Sequence, residues 1–193
     1  MSKPIAIIAI HGWQGDALSM QPLSKSIGEK YITWFFPQGP YDAEDSGYSW
    51  YGGSHETGWE FDLSFTRLEA TISKAMESFS SDNIFILGFS QGAVFTFHYI
   101  VSQNNTFGGS IPIAGFIPEK RHFESKSFTK TNNTPFLILH GNEDEIVKPE
   151  GSQHMQNLLH NAGYSSKLIY YKGAHKIRLS AIKEIKTFIS KNT

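Results

Sequence analysis

Six short apolar runs recur along this chain, at residues 5–10, 31–36, 83–87, 109–114, 135–140 and 167–171. The first reads Ile5-Ala6-Ile7-Ile8-Ala9-Ile10, with no polar residue in it. A strand with one face in water alternates apolar and polar residues. A strand without alternation is covered on both faces, as in a parallel sheet held between helices. The intervening stretches supply the helices, near residues 17–30, 59–79, 91–103, 149–162 and 177–190. In the second, Phe61, Phe65, Leu68, Ile72, Ala75, Met76 and Phe79 recur at helical spacing, while Arg67, Glu69, Ser73 and Lys74 take the other faces. The alternation specifies a three-layer α/β fold with mostly parallel strands and right-handed crossovers. At 193 residues the chain reads as one domain, 1–193, large enough to bury a core without staples.

Two segments interrupt the pattern. Residues 37–58 carry Gly39, Pro40, Gly47, Gly52 and Gly53 among aromatic side chains, and residues 119–134 are polar. Loops of this length in a compact domain are usually functional or mobile.

Composition removes several kinds of chemistry. The chain has no cysteine, which excludes disulfides, thiolate metal sites and a cysteine nucleophile together. A net charge of -1 gives no basic surface for nucleic acid. No metal-ligand spacing such as HExxH occurs, so neither a metal nor another cofactor is expected. The run at 5–10 is too short for a signal core and ends in His11-Gly12, and no later stretch approaches bilayer length. The expectation is a soluble cytoplasmic protein without stable membrane insertion; its oligomeric state is not read from the sequence.

The strongest chemical signal is Gly88-Phe89-Ser90-Gln91-Gly92. Gly-x-Ser-x-Gly alone recurs by chance, but here an apolar strand leads in and a helix-compatible run, Ala93-Val94-Phe95-Thr96-Phe97, leads out. That is the setting of a nucleophile elbow, where a sharp turn lifts the serine hydroxyl above the sheet beside a helix N-terminus. A phosphate-cradling turn is the bland alternative, but it would normally add glycines or a lysine.

A serine nucleophile needs a base. Of eight histidines, His98 lies inside the following helix, His154 and His160 lie on a surface helix, and His55 and His122 lie in irregular loops. His140 ends a strand, and its loss is expected to affect stability at most. His175 follows the strand at 167–171 through Lys172-Gly173-Ala174, which places it at the sheet edge where α/β proteins bind ligands. The group that orients the base should come from the loop after residues 135–140, where Glu143, Asp144 and Glu145 are consecutive. Spacing does not choose among the three. For the oxyanion, one donor is the amide of Gln91. The loop His11-Gly12-Trp13-Gln14-Gly15-Asp16 offers the second at Trp13, since its glycines let backbone approach a ligand closely.

Together these segments resemble the phospholipase/carboxylesterase family, which includes acyl-protein thioesterases and small bacterial carboxylesterases. The resemblance rests on Leu87-Gly88-Phe89-Ser90-Gln91-Gly92-Ala93, His11-Gly12-Trp13-x-Gly15-Asp16 and His140-Gly141-x-x-Asp144-x-x-Val147. Pro37-Gln38-Gly39-Pro40 and Ser49-Trp50-Tyr51 extend it nearly end to end. It implies an α/β-hydrolase fold in minimal form, with strands ordered 2-1-3-4-5-6. The expected departure is that the first strand here stands for the fold's third, without the family's usual first hairpin. It also implies Ser90, Asp144 and His175 as a triad, with Trp13 and Gln91 as oxyanion donors. Lys172-Gly173-Ala174-His175 follows the family's Gly-x-x-His only loosely. Trp13-Gln14 stands where relatives often have a smaller residue and Gly.

The expected activity is hydrolysis of carboxylic esters, small or lipid-like, through an acyl-enzyme on Ser90. Thioesters of acylated proteins or lysophospholipids are the alternative substrates, and a flavodoxin-like binding module is the non-enzymatic alternative. With strands ordered as above, the 37–58 loop leaves the same edge as Ser90. It is therefore expected to wall the acyl pocket with Trp50 and Tyr51, and Phe116 is expected to line it from the loop after residues 109–114.

Overall fold

The computed structural model describes residues 3–54, 56–117 and 129–193. His55, His122 and most of the polar segment 119–134 lie outside the described residues. In chain order the elements are β1 (Ile5–Ile10), α1 (Gln21–Ile27) behind a 3₁₀ turn (Leu18–Met20), β2 (Ile32–Phe35), β3 (Tyr41–Asp42), β4 (Tyr48–Ser49), β5 (Gly52–Ser54), β6 (Gly58–Glu60), α2 (Asp62–Met76), β7 (Ile84–Phe89), α3 (Gln91–Ser102), β8 (Gly109–Ile113), β9 (Phe136–Gly141), α4 (Glu150–Asn161), β10 (Ser166–Tyr171) and α5 (Leu179–Lys191).

Six strands form one sheet in the order β2-β1-β7-β8-β9-β10, every neighbouring pair parallel. Numbered among themselves these are 2-1-3-4-5-6, the expected order. The absence of alternation in β1 now has its cause. Ala6, Ile8 and Ile10 enter one core with Leu68 and Ile72 of α2, Phe95 and Phe97 of α3 and Met155 of α4. Ile5, Ile7 and Ala9 enter a second core with Leu23 and Ile27 of α1 and Ile182, Ile185 and Ile189 of α5. Successive side chains point to opposite faces, and both faces are dry. This is an α/β-hydrolase arrangement. No helix among the described residues is long and apolar enough to cross a membrane.

Local boundaries differ from the sequence reading in two places. The first helix shortens to Gln21–Ile27 because Gly28 closes it in the left-handed region (φ 67°). Residues 58–60 pair with β5 as a hairpin, so α2 starts at Asp62 and ends at Met76. Phe79 still reaches back to Ala75 through a 3.0 Å backbone bond, which is why the helical spacing persists to residue 79.

Strand order reverses between β1 and β7. The loops leaving their C-terminal ends open the crevice where open α/β sheets place ligands.

Candidate active site

β7 ends at Phe89 and α3 begins at Gln91, leaving Ser90 alone to make the turn. Its φ of 54° and ψ of -116° lie where a residue with a side chain is strained, at a cost of about 1–3 kcal/mol. The turn is tight enough to need glycine on both sides. A Cβ on Gly88 would stand 2.2 Å from the Gly92 carbonyl oxygen, and one on Gly92 would stand 2.4 Å from that of His11. Hydrogen bonds hold the strain in place: Ser90 N–H donates to Ile113 O at 2.9 Å, and Ala93 N–H to Ser90 O at 3.0 Å.

Asp144 and His175 come together from the loops after β9 and β10. His175 Nδ1 lies 2.6 Å from Asp144 Oδ2, and the carboxylate is buried. Asp144 Oδ1 accepts the amides of Ile146 and Val147 at 3.0 and 2.9 Å. Burial alone would raise this carboxyl. The bond from His175 and the two amides outweigh it and hold Asp144 below the usual range. Glu143 and Glu145 are exposed. Since a carboxylate only accepts, Nδ1 carries the proton and Nε2 is left as the basic nitrogen. The imidazole rests on the Phe89 ring, centroids 4.8 Å apart, one residue before Ser90. Ser90 and His175 are not hydrogen-bonded to each other; in catalytic sites such links commonly tighten only in the substrate complex.

The other flank is the loop 11–16. A Cβ on Gly12 would lie 3.3 Å from Ser90 Cβ, so the loop passes close against Ser90, with Trp13 next in the chain. The Trp13 indole is exposed. The loop is clamped from above by residues 37–58, which form two small antiparallel pairs, β3 with β4 and β5 with β6. Gln14 N–H donates to Tyr48 O at 3.1 Å, and Tyr48 N–H donates to Gly15 O at 3.0 Å. Gly47 sits so close that a Cβ there would be 2.2 Å from the Gln14 carbonyl oxygen.

The side-chain contacts of two residues in this clamp escaped the sequence reading. His11 is buried, donates from Nδ1 to Gly12 O at 2.7 Å and accepts Gly39 N–H at Nε2 at 3.0 Å. Burial holds it below the usual histidine value, in keeping with the neutral form these bonds require. Gln91 uses its side chain as well as its position: Oε1 accepts Trp50 N–H at 2.9 Å, and Nε2 donates to Ser49 Oγ at 2.9 Å. Their proximity to the Gly-x-Ser-x-Gly and His-Gly-Trp motifs was the available signal; the partners, about 30 to 40 positions away in sequence, were not.

The expected substrate wall is corrected in part. Trp50 is fully buried, stacked on Phe95 at 5.0 Å, with Nε1–H donating to His11 O at 3.0 Å. It anchors the loop and presents no face to a ligand. Tyr51 is half-buried, edge-on to Phe61 and Phe95, and burial pushes its hydroxyl up. Phe116 keeps an exposed face. A groove of about 280 Å³ opens beside His175, lined by Met20, Leu23, Phe89, Ile177 and Ile182. Its walls come from α1 and the turn before it, the end of β7, the loop after β10 and α5, which no local pattern joins.

The sequence pattern of the Phospholipase/Carboxylesterase family matches residues 3–193. The chain is 25% identical over 203 residues to the carboxylesterase SOBER1 of Arabidopsis thaliana, covering 96% of this chain and 89% of that one. It is 31% identical over 136 residues to an acyl-protein thioesterase 1 homolog of Dictyostelium discoideum, covering 68% of this chain and 59% of that one. Among solved structures, SOBER1 superposes with a TM-score of 0.82 at 22% identity, covering 98% of this chain and 99% of that one. Esterase PE8 superposes with a TM-score of 0.84 at 18% identity, covering 100% and 94%.

Proposed function

We propose that this chain, which belongs to the phospholipase/carboxylesterase family, cleaves carboxylic esters through an acyl-enzyme on Ser90. Membership makes it an enzyme of the carboxylesterase type and removes the binding-module alternative. The observation that carries the assignment of residues is the buried Asp144–His175 pair beside the end of the strand that delivers Ser90.

In this reading Ser90 Oγ attacks the ester carbonyl and its proton passes to His175 Nε2. Asp144 holds the imidazole by Nδ1 and stabilises the cation that forms. The carbonyl oxygen becomes an oxyanion facing the amides of Trp13 and Gln91. Collapse expels the alcohol, which takes the proton back from His175. Water then gives a proton to His175 and attacks the acyl carbonyl, releasing the acid and restoring the Ser90 hydroxyl.

The leaving oxygen must lie within reach of His175 to be protonated. The groove beside His175, mostly apolar through Met20, Leu23, Phe89, Ile177 and Ile182 with Ser19, Ser26 and Lys176 among its lining, is the proposed place for the alcohol portion. Thioester cleavage is the second reading, favoured by the relative named as an acyl-protein thioesterase.

The test is pre-steady-state hydrolysis of p-nitrophenyl acetate. The account expects a burst of one nitrophenolate per chain followed by slower turnover. Hydrolysis that S90A retains at more than about a hundredth of the wild-type rate would overturn it.

A further inference from the structure

His140 ends β9 and is fully buried. Its Nε2 lies 2.9 Å from the Val147 carbonyl oxygen and 3.3 Å from Asp144 Oδ2. Carbonyl and carboxylate oxygens only accept, so Nε2 carries a proton, donated to the Val147 carbonyl, with the Asp144 carboxylate in close electrostatic contact beside it. Nδ1 lies 2.6 Å from Ser152 Oγ on α4, and that hydroxyl also lies 2.9 Å from the Gly115 carbonyl oxygen. Burial holds this imidazole below the usual histidine value, against the opposing pull of the Val147 carbonyl and Asp144. The Ser152 hydroxyl donates to the Gly115 carbonyl oxygen and stands against Nδ1 of the ring, which it seats. Asp144 Oδ2 thus faces two imidazoles, His175 at 2.6 Å and His140 at 3.3 Å.

We propose that His140 is a positioning residue that acts through Asp144, fixing the carboxylate and moderating the basicity it confers on His175. The proposal rests on the reading of Ser90, Asp144 and His175 as the triad. Each donor to a carboxylate stabilises its charge, leaving less to hold a proton on a second partner. Without the His140 N–H, Asp144 binds the His175 imidazolium more firmly. The base then stays protonated to higher pH, and the acid limb of the kcat/KM profile moves up. Charge near this contact comes from His175 and, beyond Tyr171 at the end of β10, from Arg178. α4 faces it with the neutral Ser152 hydroxyl, and the loop after β8 reaches that hydroxyl with the Gly115 carbonyl.

The experiment compares kcat/KM against pH for the full chain and the variants H140Q, H140L and S152A, on a soluble p-nitrophenyl ester. Gln keeps an N–H near the Nε2 position, and Leu keeps bulk without a donor. H140L is expected to lower kcat about 10–100-fold, the range seen for outer partners of metal-bound histidines. KM should stay nearly constant, and the acid limb should rise by roughly half a pH unit to one unit. H140Q should recover most of the rate and return the limb. A loss with the limb unmoved and no rescue by Gln would reduce His140 to packing and overturn the proposal. Should H140L not fold, S152A decides: it removes the hydroxyl that seats the imidazole at Nδ1 and so loosens the approach of Nε2 to Asp144. A smaller upward shift supports the proposal, and an unmoved limb overturns it. Fluorophosphonate labelling of the wild type keeps the two readings apart. An unlabelled wild type removes the triad itself, whereas a labelled one with an unmoved limb removes only the role of His140.

Discussion

On one side of Ser90, the proposed oxyanion donors are main-chain amides, Gln91 at the start of α3 and Trp13 on a loop. That loop is tied by main-chain bonds from Gln14 to Tyr48 and Tyr48 to Gly15, with Gly47 against Gln14 and the His11, Gln91 and Trp50 side chains bracing the loop above it. On the other side the proposed acid–base atoms are side-chain atoms, and side chains help to aim them: His175 and His140 on Asp144, Ser152 on His140. The difference predicts which kind of substitution each side tolerates. A loop whose working atoms are backbone survives changes of its exposed side chains but not of backbone clearance. A side-chain relay is sensitive to the loss of a single polar atom, even where the shape is kept. Placing the oxyanion donors on main chain also preorganises them, so that little reorganisation is needed as charge develops.

The largest effect should come from the relay side. D144N keeps the shape of the carboxylate but favours the wrong imidazole tautomer, and turnover should fall about 10⁴-fold. E143Q and E145Q, both exposed, should stay near wild type in the same ester assay. A loss from either glutamate larger than that from Asp144 would break the assignment of the relay.

The clamp side gives the next effect. G47A places a methyl group against the Gln14 carbonyl and forces a residue at φ 70° to carry a side chain. Displacing one oxyanion donor should lower kcat roughly 10²-fold. Q14A removes only the exposed bond from Nε2 to Glu44 O and should change kcat less than threefold, a surface-sized effect. Equal losses from the two variants would show that the loop is not held through its backbone.

The smallest effect concerns stability. Desolvation by burial lowers His98 to about 4 from 6.5, and lowers His11 and His140 as well. These groups are neutral when folded and take up protons on unfolding. Their stabilising contribution is therefore complete above pH 6.5 and declines as the pH falls toward the folded values. Tm should drop on acidification from pH 7 to 5, and H98L should flatten that slope without moving the acid limb of activity. A slope unchanged by H98L would take His98 out of the acid sensitivity.

Much of this was legible in the chain. Ile5–Ile10 announced a strand covered on both faces because two helical layers need apolar residues at every position. The serine turn was legible because its strain leaves a local mark, glycine at 88 and 92. Three consecutive acids were not separable by spacing; Asp144 differs from its neighbours through amides and an imidazole supplied by the fold. The pairs within residues 37–58 were hidden because strands of two or three residues carry no periodicity. Trp50 resembled a pocket residue because its partners, Phe95 and the His11 carbonyl, lie about 40 positions away. His140 looked like any strand-ending residue until the loop folded back and brought Asp144 to its Nε2.

The central claim is that Ser90 is an activated nucleophile served by both flanks, and covalent capture reads that directly. The full chain is incubated with a fluorophosphonate, and the adduct is located by peptide mass spectrometry. The account predicts one phosphonyl group per chain, on Ser90, formed quickly in wild type and slowly in D144N. No adduct should form in S90A that keeps the wild-type circular dichroism spectrum. An adduct on another residue, or labelling that persists in S90A, would contradict it.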